Sequence, residues 1–267
     1  MNVNRQLCHV NLAGLAPVLR TGLMLLLLAL VGCASGPNAN PRDPLEPFNR
    51  GVYQFNDAVD AAVLKPVATA YQTVTPVPVQ RGIGNFFENL KTPWSFINNA
   101  LEFKGQAAIA SLMRFAVNTT IGLGGIFDVA TDINIEKHTR DFGHTLGYWG
   151  VPPGAYLVLP LLGPSSVRDT VAVPADLMAG LLTYVDNVPL RNSLWALGFV
   201  DERSKWLKAS TILEEAALDK YSFTRDAYLQ RRRNTIYDGN PPEEDSQDMA
   251  PATPDVSEPL EEEKVKP

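Results

Sequence analysis

The chain has 267 residues, 45% of them hydrophobic, with 23 basic and 29 acidic side chains and a net charge of −6. Ten of the acids lie in residues 238–267 and none in residues 1–32, which leaves residues 33–237 balanced at nineteen basic and nineteen acidic groups. A neutral body has no basic face to displace counterions from a phosphate backbone, which excludes nucleic acid as a partner.

Arg5 and Arg20 precede an apolar run from Leu23 to Val31, and Leu30, Val31 and Gly32 stand directly before Cys33. This is the build of a secretory signal, and its end resembles the lipobox of bacterial lipoproteins. The run is too short for a membrane span, which takes about 20 residues. The thiol of Cys33 is therefore expected to carry a diacylglycerol, each buried methylene contributing about 0.8 kcal/mol to membrane attachment. The other readings are a plain anchor or a signal with an incidental cysteine. Ala34, where inner-membrane lipoproteins of enterobacteria carry aspartate, favours the outer membrane by resemblance. Cys8 falls in the segment to be removed, so the mature chain has no second thiol for a disulfide or a metal site. Residues 34–42 are small, polar and broken by proline, as in a flexible tether.

The following body of about 195 residues suits one domain. Phe48, Val52, Phe55, Val59 and Val63 recur at helical spacing, with Asp43-Pro44 or Glu46-Pro47 as a start. Phe86, Phe87, Leu90, Phe96, Ile97 and Leu101 mark a second helical region, bent or broken at Pro93. A third runs from Ala107 to Val117. Next come Asn118, Gly122, Gly124, Gly125 and Asp128, among Ile121, Leu123, Ile126 and Phe127. The segment lacks the lysine and strand context of a phosphate loop and the third glycine of a dinucleotide fingerprint. It reads as a mobile apolar hairpin or as a tight turn between helices.

Tyr156 to Leu159 looks strand-like but meets Pro160, so an extended segment is expected rather than a sheet. Ser165, Ser166, Asp169 and His144 invite comparison with a hydrolase triad, yet Gly-x-Ser-x-Gly is absent. Ser166 to Asp169 instead forms a helix-start box. His138 and His144 are too far apart for one helical face, and no cysteine can join them as a ligand. Asp201 is expected to cap a helix through Leu207, Leu213 and Ala217, with Lys220 near its end. From about Asp238 the acidic tail has little to bury and should be disordered. Phe86, Phe87, Trp94, Phe96, Phe103 and Phe115 fit a soluble core or helices lying in a membrane interface.

Five ordered blocks then carry a family resemblance. They are Asp43, Pro44, Phe48, Asn49 and Arg50; Phe115 to Asn118 with Gly122, Gly125 and Asp128; Phe142, Gly143, Leu146, Gly147 and Gly150; Pro160, Gly163, Pro164, Arg168 and Asp169; and Tyr221, Arg225, Ala227 and Tyr228. Behind a lipobox, this series resembles the MlaA (VacJ) outer-membrane lipoproteins over nearly all of residues 43–237, departing at Ala155, where many relatives have proline. The resemblance implies an all-α fold, a ring-like assembly of interfacial amphipathic helices around a central amphipathic channel, with a glycine-rich hairpin at Asn118–Asp128 gating it. Together with the residue patterns on either side, it sets out a signal peptide (1–32), a lipidated tether (33–42), a helical domain (43–237) and an acidic tail (238–267) that lies outside the shared pattern. It also implies transport rather than catalysis, no cofactor and no metal. The implied partners are a phospholipid, a trimeric outer-membrane porin and a periplasmic phospholipid carrier, with the protein lipid-anchored on the periplasmic face of the outer membrane. A lipid hydrolase and a structural or adhesion protein of the envelope are the other classes.

Overall fold

The computed structural model describes residue 40 and residues 42–242. The signal segment, Cys33 and the tail from Glu243 lie outside the described residues.

Helix α1 (Glu46–Val59) starts with Pro47 in its first turn, where a missing N–H costs nothing. It runs through a widened turn at Asp60–Leu64, in which Lys65 donates to the Asp60 carbonyl, into α2 (Lys65–Val74). Pro66 lies just past that turn; proline would clash with a carbonyl four residues back, and the wider turn gives it room. Helix α3 (Val77–Leu101) continues through Pro93, so of the bend or break expected there, the break is absent. Then come α4 (Gly105–Thr120), the one-turn α5 (Val129–Asp132) and α6 (Phe142–Tyr148). After the two strands, α7 (Val167–Ala179), a 3-10 turn (Leu181–Tyr184), α8 (Val188–Ala216) and α9 (Lys220–Ile236) complete the fold. α3 packs along α4, α2 along α8, and α6 along α7.

Two sequence expectations need correction. Tyr156–Leu159 is not merely extended: as β1 it pairs antiparallel with β2 (Gly163–Ser166), Leu159 opposite Gly163 and Tyr156 opposite Ser166. Pro160 does end β1, but Leu161 and Gly163 at positive φ (63° and 84°) turn the chain back. Asparagines of α1 complete the edge. Asn49 Oδ1 accepts from the Val158 amide at 2.9 Å, Asn56 Oδ1 from the Leu161 amide at 2.8 Å, and Asn56 Nδ2 donates to the Leu159 carbonyl at 2.9 Å. Asp201 does not cap a helix either. α8 starts thirteen residues earlier, where Asn187 accepts from the Leu190 amide at 2.9 Å. Asp201 is buried in mid-helix, accepting from Tyr71 Oη at 3.0 Å and facing Lys205 Nζ at 2.9 Å. Lys220 begins the next helix, capped by Asp219.

The interior is mostly polar. One hydrophobic cluster joins Tyr156, Val158 and Tyr221, flanked by Val52, Tyr53, Tyr228 and Leu229. Elsewhere the buried side chains include Asn98, Asn99, Glu102, Ser111, Arg114 and Thr145. Large apolar side chains stand outward, among them Phe103 (90% exposed), Val171, Met178, Ile109 and Met113. Buried polar groups demand partners because an unpaired one loses its water without compensation. An apolar exterior with a hydrogen-bonded interior is the arrangement expected of helices that meet lipid. No helix among the described residues is long and apolar enough to cross a membrane.

Asn49, fully buried, also donates to Asp43 Oδ1 at 2.8 Å and to the Tyr156 carbonyl at 2.9 Å. Asn49→Ala leaves several buried groups without partners and is expected to lower the unfolding free energy by about 3 kcal/mol, read by urea unfolding of the protein in detergent micelles. A loss below about 1 kcal/mol would mean that water replaces the asparagine.

Candidate functional site

The glycine segment is a turn between α4 and α5 with a polar base and an apolar tip. At the base, Asp128 accepts from Arg114 Nη2 at 2.7 Å, from Asn118 Nδ2 at 2.9 Å and from Thr131 Oγ1 at 2.6 Å. Asn118 Oδ1 accepts from the Ala130 amide at 2.8 Å. Burial opposes ionisation of Asp128, but the hydrogen bonds of Thr131 and Asn118 and the charge of Arg114 outweigh it and hold the carboxyl below its ordinary range. Both ends of the turn are thus pinned. At the tip, Ile121, Leu123, Ile126 and Phe127 stand exposed.

The glycines serve different ends. Gly124 and Gly125 lie at φ 73° and 93°, where an L side chain is strained. A Cβ on Gly124 would meet open space, whereas one on Gly125 would lie 2.7 Å from Asn89 Cγ. Gly122 has ordinary torsions but sits so close that a Cβ would be 2.5 Å from the Asn118 carbonyl oxygen.

The turn rests on one stripe of α3 that the sequence reading did not single out. Asn85 Nδ2 donates to the Ile126 carbonyl at 3.1 Å, Asn89 Nδ2 to Thr119 Oγ1 at 3.0 Å, and Gly82 lets Ile126 come close. Small and polar residues at 82, 85 and 89 keep helical spacing on an otherwise apolar, aromatic helix, and that was the available signal.

The other motif blocks build two ionic clusters behind this surface. In the first, Asp43 lies against Arg225 Nη1 at 3.4 Å and accepts from Asn49 and from the Tyr221 hydroxyl. Arg50 spans Glu46 at 2.7 Å and Asp219 at 2.6 Å, above the Tyr221 ring. In the second, Arg232 makes a two-pronged pair with Asp141, both distances 2.7 Å, and reaches Asp169 at 2.9 Å. Arg168 and the Tyr228 hydroxyl complete the shell of Asp169 at 3.0 and 2.5 Å. His144 contacts the same guanidinium at 2.9 Å, and Ser166 caps α7 through the Asp169 amide, so the serine and histidine are absorbed by structure.

The motif glycines fit close approaches. A Cβ on Gly143 would lie 2.6 Å from Asp169 Oδ1, and one on Gly147 would lie 2.8 Å from Arg168 Nη1. Phe142 touches the rings of Trp94 and Trp149, Leu146 is partly buried, and Gly150 turns the chain at φ 88°. Pro160, Gly163 and Pro164 shape the small hairpin. Pro44 and Phe48 flank Asp43 and Asn49 without entering their network; Phe48 is half exposed. No group of His, Cys, Asp and Glu among the described residues could hold a metal ion.

The family model for the MlaA lipoprotein matches residues 41–235. The intermembrane phospholipid transport system lipoprotein MlaA of Escherichia coli K12 is 36% identical over 208 residues, covering 76% of this chain and 82% of that one. The protein of the same name from Haemophilus influenzae is 34% identical over 226 residues, covering 81% and 89%. A solved structure described as the structural basis for maintenance of bacterial outer membrane lipid asymmetry matches with a TM-score of 0.64 at 33% identity. That match covers 74% of this chain and 99% of the solved one.

The second ionic cluster sets an acid limit on the fold. Burial opposes the charge of Asp141, but hydrogen bonds from His144 and Arg232 and the charge of Arg232 prevail, holding its carboxyl well below the usual range; Asp169 is lowered by the same guanidinium. Groups whose folded pKa is depressed contribute stability above the unfolded value, roughly pH 4, and lose it as pH falls further. Unfolding free energy should therefore decline below about pH 4. Asp141→Asn keeps the helix cap but not the charge, and should flatten that decline. An unchanged slope in urea titrations from pH 5 to 2 would remove Asp141 from the ionic account.

Proposed function

Since the chain belongs to the MlaA lipoprotein family, we propose that it serves intermembrane phospholipid transport, keeping the outer membrane asymmetric by withdrawing phospholipid misplaced in the outer leaflet. The observation that carries this reading is the apolar exterior over a polar interior, without a membrane-crossing helix among the described residues. Such a body lies within one leaflet and meets acyl chains sideways. A path for phospholipid must be apolar on one side and wet on the other, since an unmatched polar headgroup costs several kcal/mol.

In this reading the helices ring an amphipathic channel, the turn at Asn118–Asp128 gates it, and Cys33 carries the lipid anchor. A trimeric porin holds the ring in place and a soluble periplasmic carrier receives the lipid. The gate assignment draws support from the contrast within the turn: a base pinned by Arg114, Asn118 and Asp128, and an exposed apolar tip hinged at two glycines of positive φ. The relatives from Escherichia coli and Haemophilus influenzae bear the name of a transport lipoprotein rather than of an enzyme.

Deletion of the gene is expected to raise the phospholipid accessible to a membrane-impermeant amine reagent on intact cells; an unchanged level would overturn the transport reading. Gly124→Ala tests the gate more cleanly than Gly125→Ala, because only backbone strain of about 1–2 kcal/mol is introduced. We expect Gly124→Ala cells to lose resistance to detergent with EDTA while the protein remains folded. Equal resistance with a folded variant would reduce the segment to a turn. For the anchor, Cys33→Ala should abolish metabolic labelling by a fatty-acid analogue, and label retained on that variant would place the lipid elsewhere.

A further inference from the structure

An open cleft of about 810 Å³ lies apart from the glycine turn, between the start of α4, the strap 136–140 and the end of α9. Asn99, Gly105 to Ala107, Glu136 and Asp238 are among its lining residues. Three features give it chemistry.

First, α4 is a sixteen-residue helix whose N-terminus has no side-chain cap, and that end opens on the cleft. The first amides of a helix have no partner within it, and the helix dipole adds positive potential there. Second, Asn99 is fully buried and lines the same cleft, yet its Oδ1 has no hydrogen-bond partner. Its Nδ2 is committed to the Ser95 carbonyl at 2.8 Å and the His138 carbonyl at 3.3 Å, so the amide is held with its acceptor free. Third, every lysine and arginine in the lining already faces a carboxylate. Lys104 pairs with Glu102 at 2.9 Å and Asp238 at 2.6 Å, Arg140 with the same two acids, and Lys137 with Glu88. Asp238, which the sequence grouped with the tail, thus belongs to this cleft.

Free amides ask for an anion, the free carbonyl oxygen asks for a donor, and the pairing of each lysine and arginine with a carboxylate leaves no unpaired cation for a bare polyanion. A group bearing a phosphate and an ammonium a few bonds apart meets all three conditions. We propose that this cleft binds the phosphoethanolamine headgroup of a zwitterionic phospholipid. The phosphate sits on the amides of Gly105 to Ala107, and the ammonium lies toward Asn99 Oδ1 and the largely exposed carboxylate of Glu136. The assignment rests on phospholipid being the cargo, and it makes the cleft a headgroup-reading station separate from the gate.

The probe is soluble glycerophosphoethanolamine, titrated into isotope-labelled full-length protein in detergent micelles while the amides of Gln106 and Ala107 are followed. Saturable shifts are expected, with inorganic phosphate binding at least tenfold more weakly. Gly105→Pro removes one donor at a position where helices accept proline, and should weaken the ester about tenfold without loss of helix content. Glu136→Gln should weaken the ester several-fold and leave phosphate unchanged. Bicelles containing phosphatidylethanolamine should produce the same shifts, and phosphatidylglycerol bicelles should not. No saturable shift, equal binding of phosphate, unaltered binding by folded Gly105→Pro, or response to the soluble ester but not to the bicelle would each overturn the proposal. Surface phospholipid in the deletion strain is scored separately. A deletion phenotype without headgroup binding removes only the cleft assignment, whereas absence of that phenotype removes the transport reading.

Discussion

The constraint on which the rest of the structure depends is that polar groups inside this protein must find partners inside it. Helices with apolar exteriors cannot turn those groups outward, and among the described residues only one small cluster, around Tyr156, Val158 and Tyr221, is a conventional hydrophobic core. Asn49 ties α1 to the small hairpin, Arg232 ties α9 to α6 and α7, and Arg114 ties α4 to α5. Removing one member of such a buried pair leaves the other uncompensated, which is why these contacts fix relative positions more strictly than apolar packing would.

That scaffold bears on the proposed gate, which requires a mobile element beside fixed ones. The turn after α4 is anchored where Asn118 and Asp128 meet, yet its tip has little but apolar side chains and two glycines in conformations other residues resist. Asn85 and Asn89 hold it against α3 through only a few hydrogen bonds, each of modest net strength. A two-position element needs such weak, local contacts on a firm base, since strong ones would lock a single state.

Much of this was legible in the sequence. Helical spacing from Phe48 to Val63, proline in the first turn at Pro47, the Ser166 helix start and the glycine segment all follow from local rules, and the motif series identified the family. What failed did so for tertiary reasons. The hairpin at Tyr156–Ser166 exists because asparagines over a hundred residues away satisfy its edge, which no local pattern announces. Asp201 has the composition of a cap but lies inside a longer helix, where a tyrosine hydroxyl and a lysine supply what a helix end would have. Arg114 and Arg232, central to the ionic frame, drew no notice because a lone arginine on a helix usually faces solvent.

The central claim is that the apolar exterior faces acyl chains and the polar interior never does. The most direct measurement is nitroxide labelling at Phe103, Met113 and Met178, with Lys208 as the polar reference, in protein reconstituted into bilayers. Collision with dissolved oxygen is compared with collision with a water-soluble nickel chelate at each site. The three apolar positions should respond to oxygen and be shielded from the chelate, while Lys208 should respond to the chelate. Apolar sites as open to the chelate as Lys208 would show that the exterior meets water, and the account of a protein lying within a leaflet would fall.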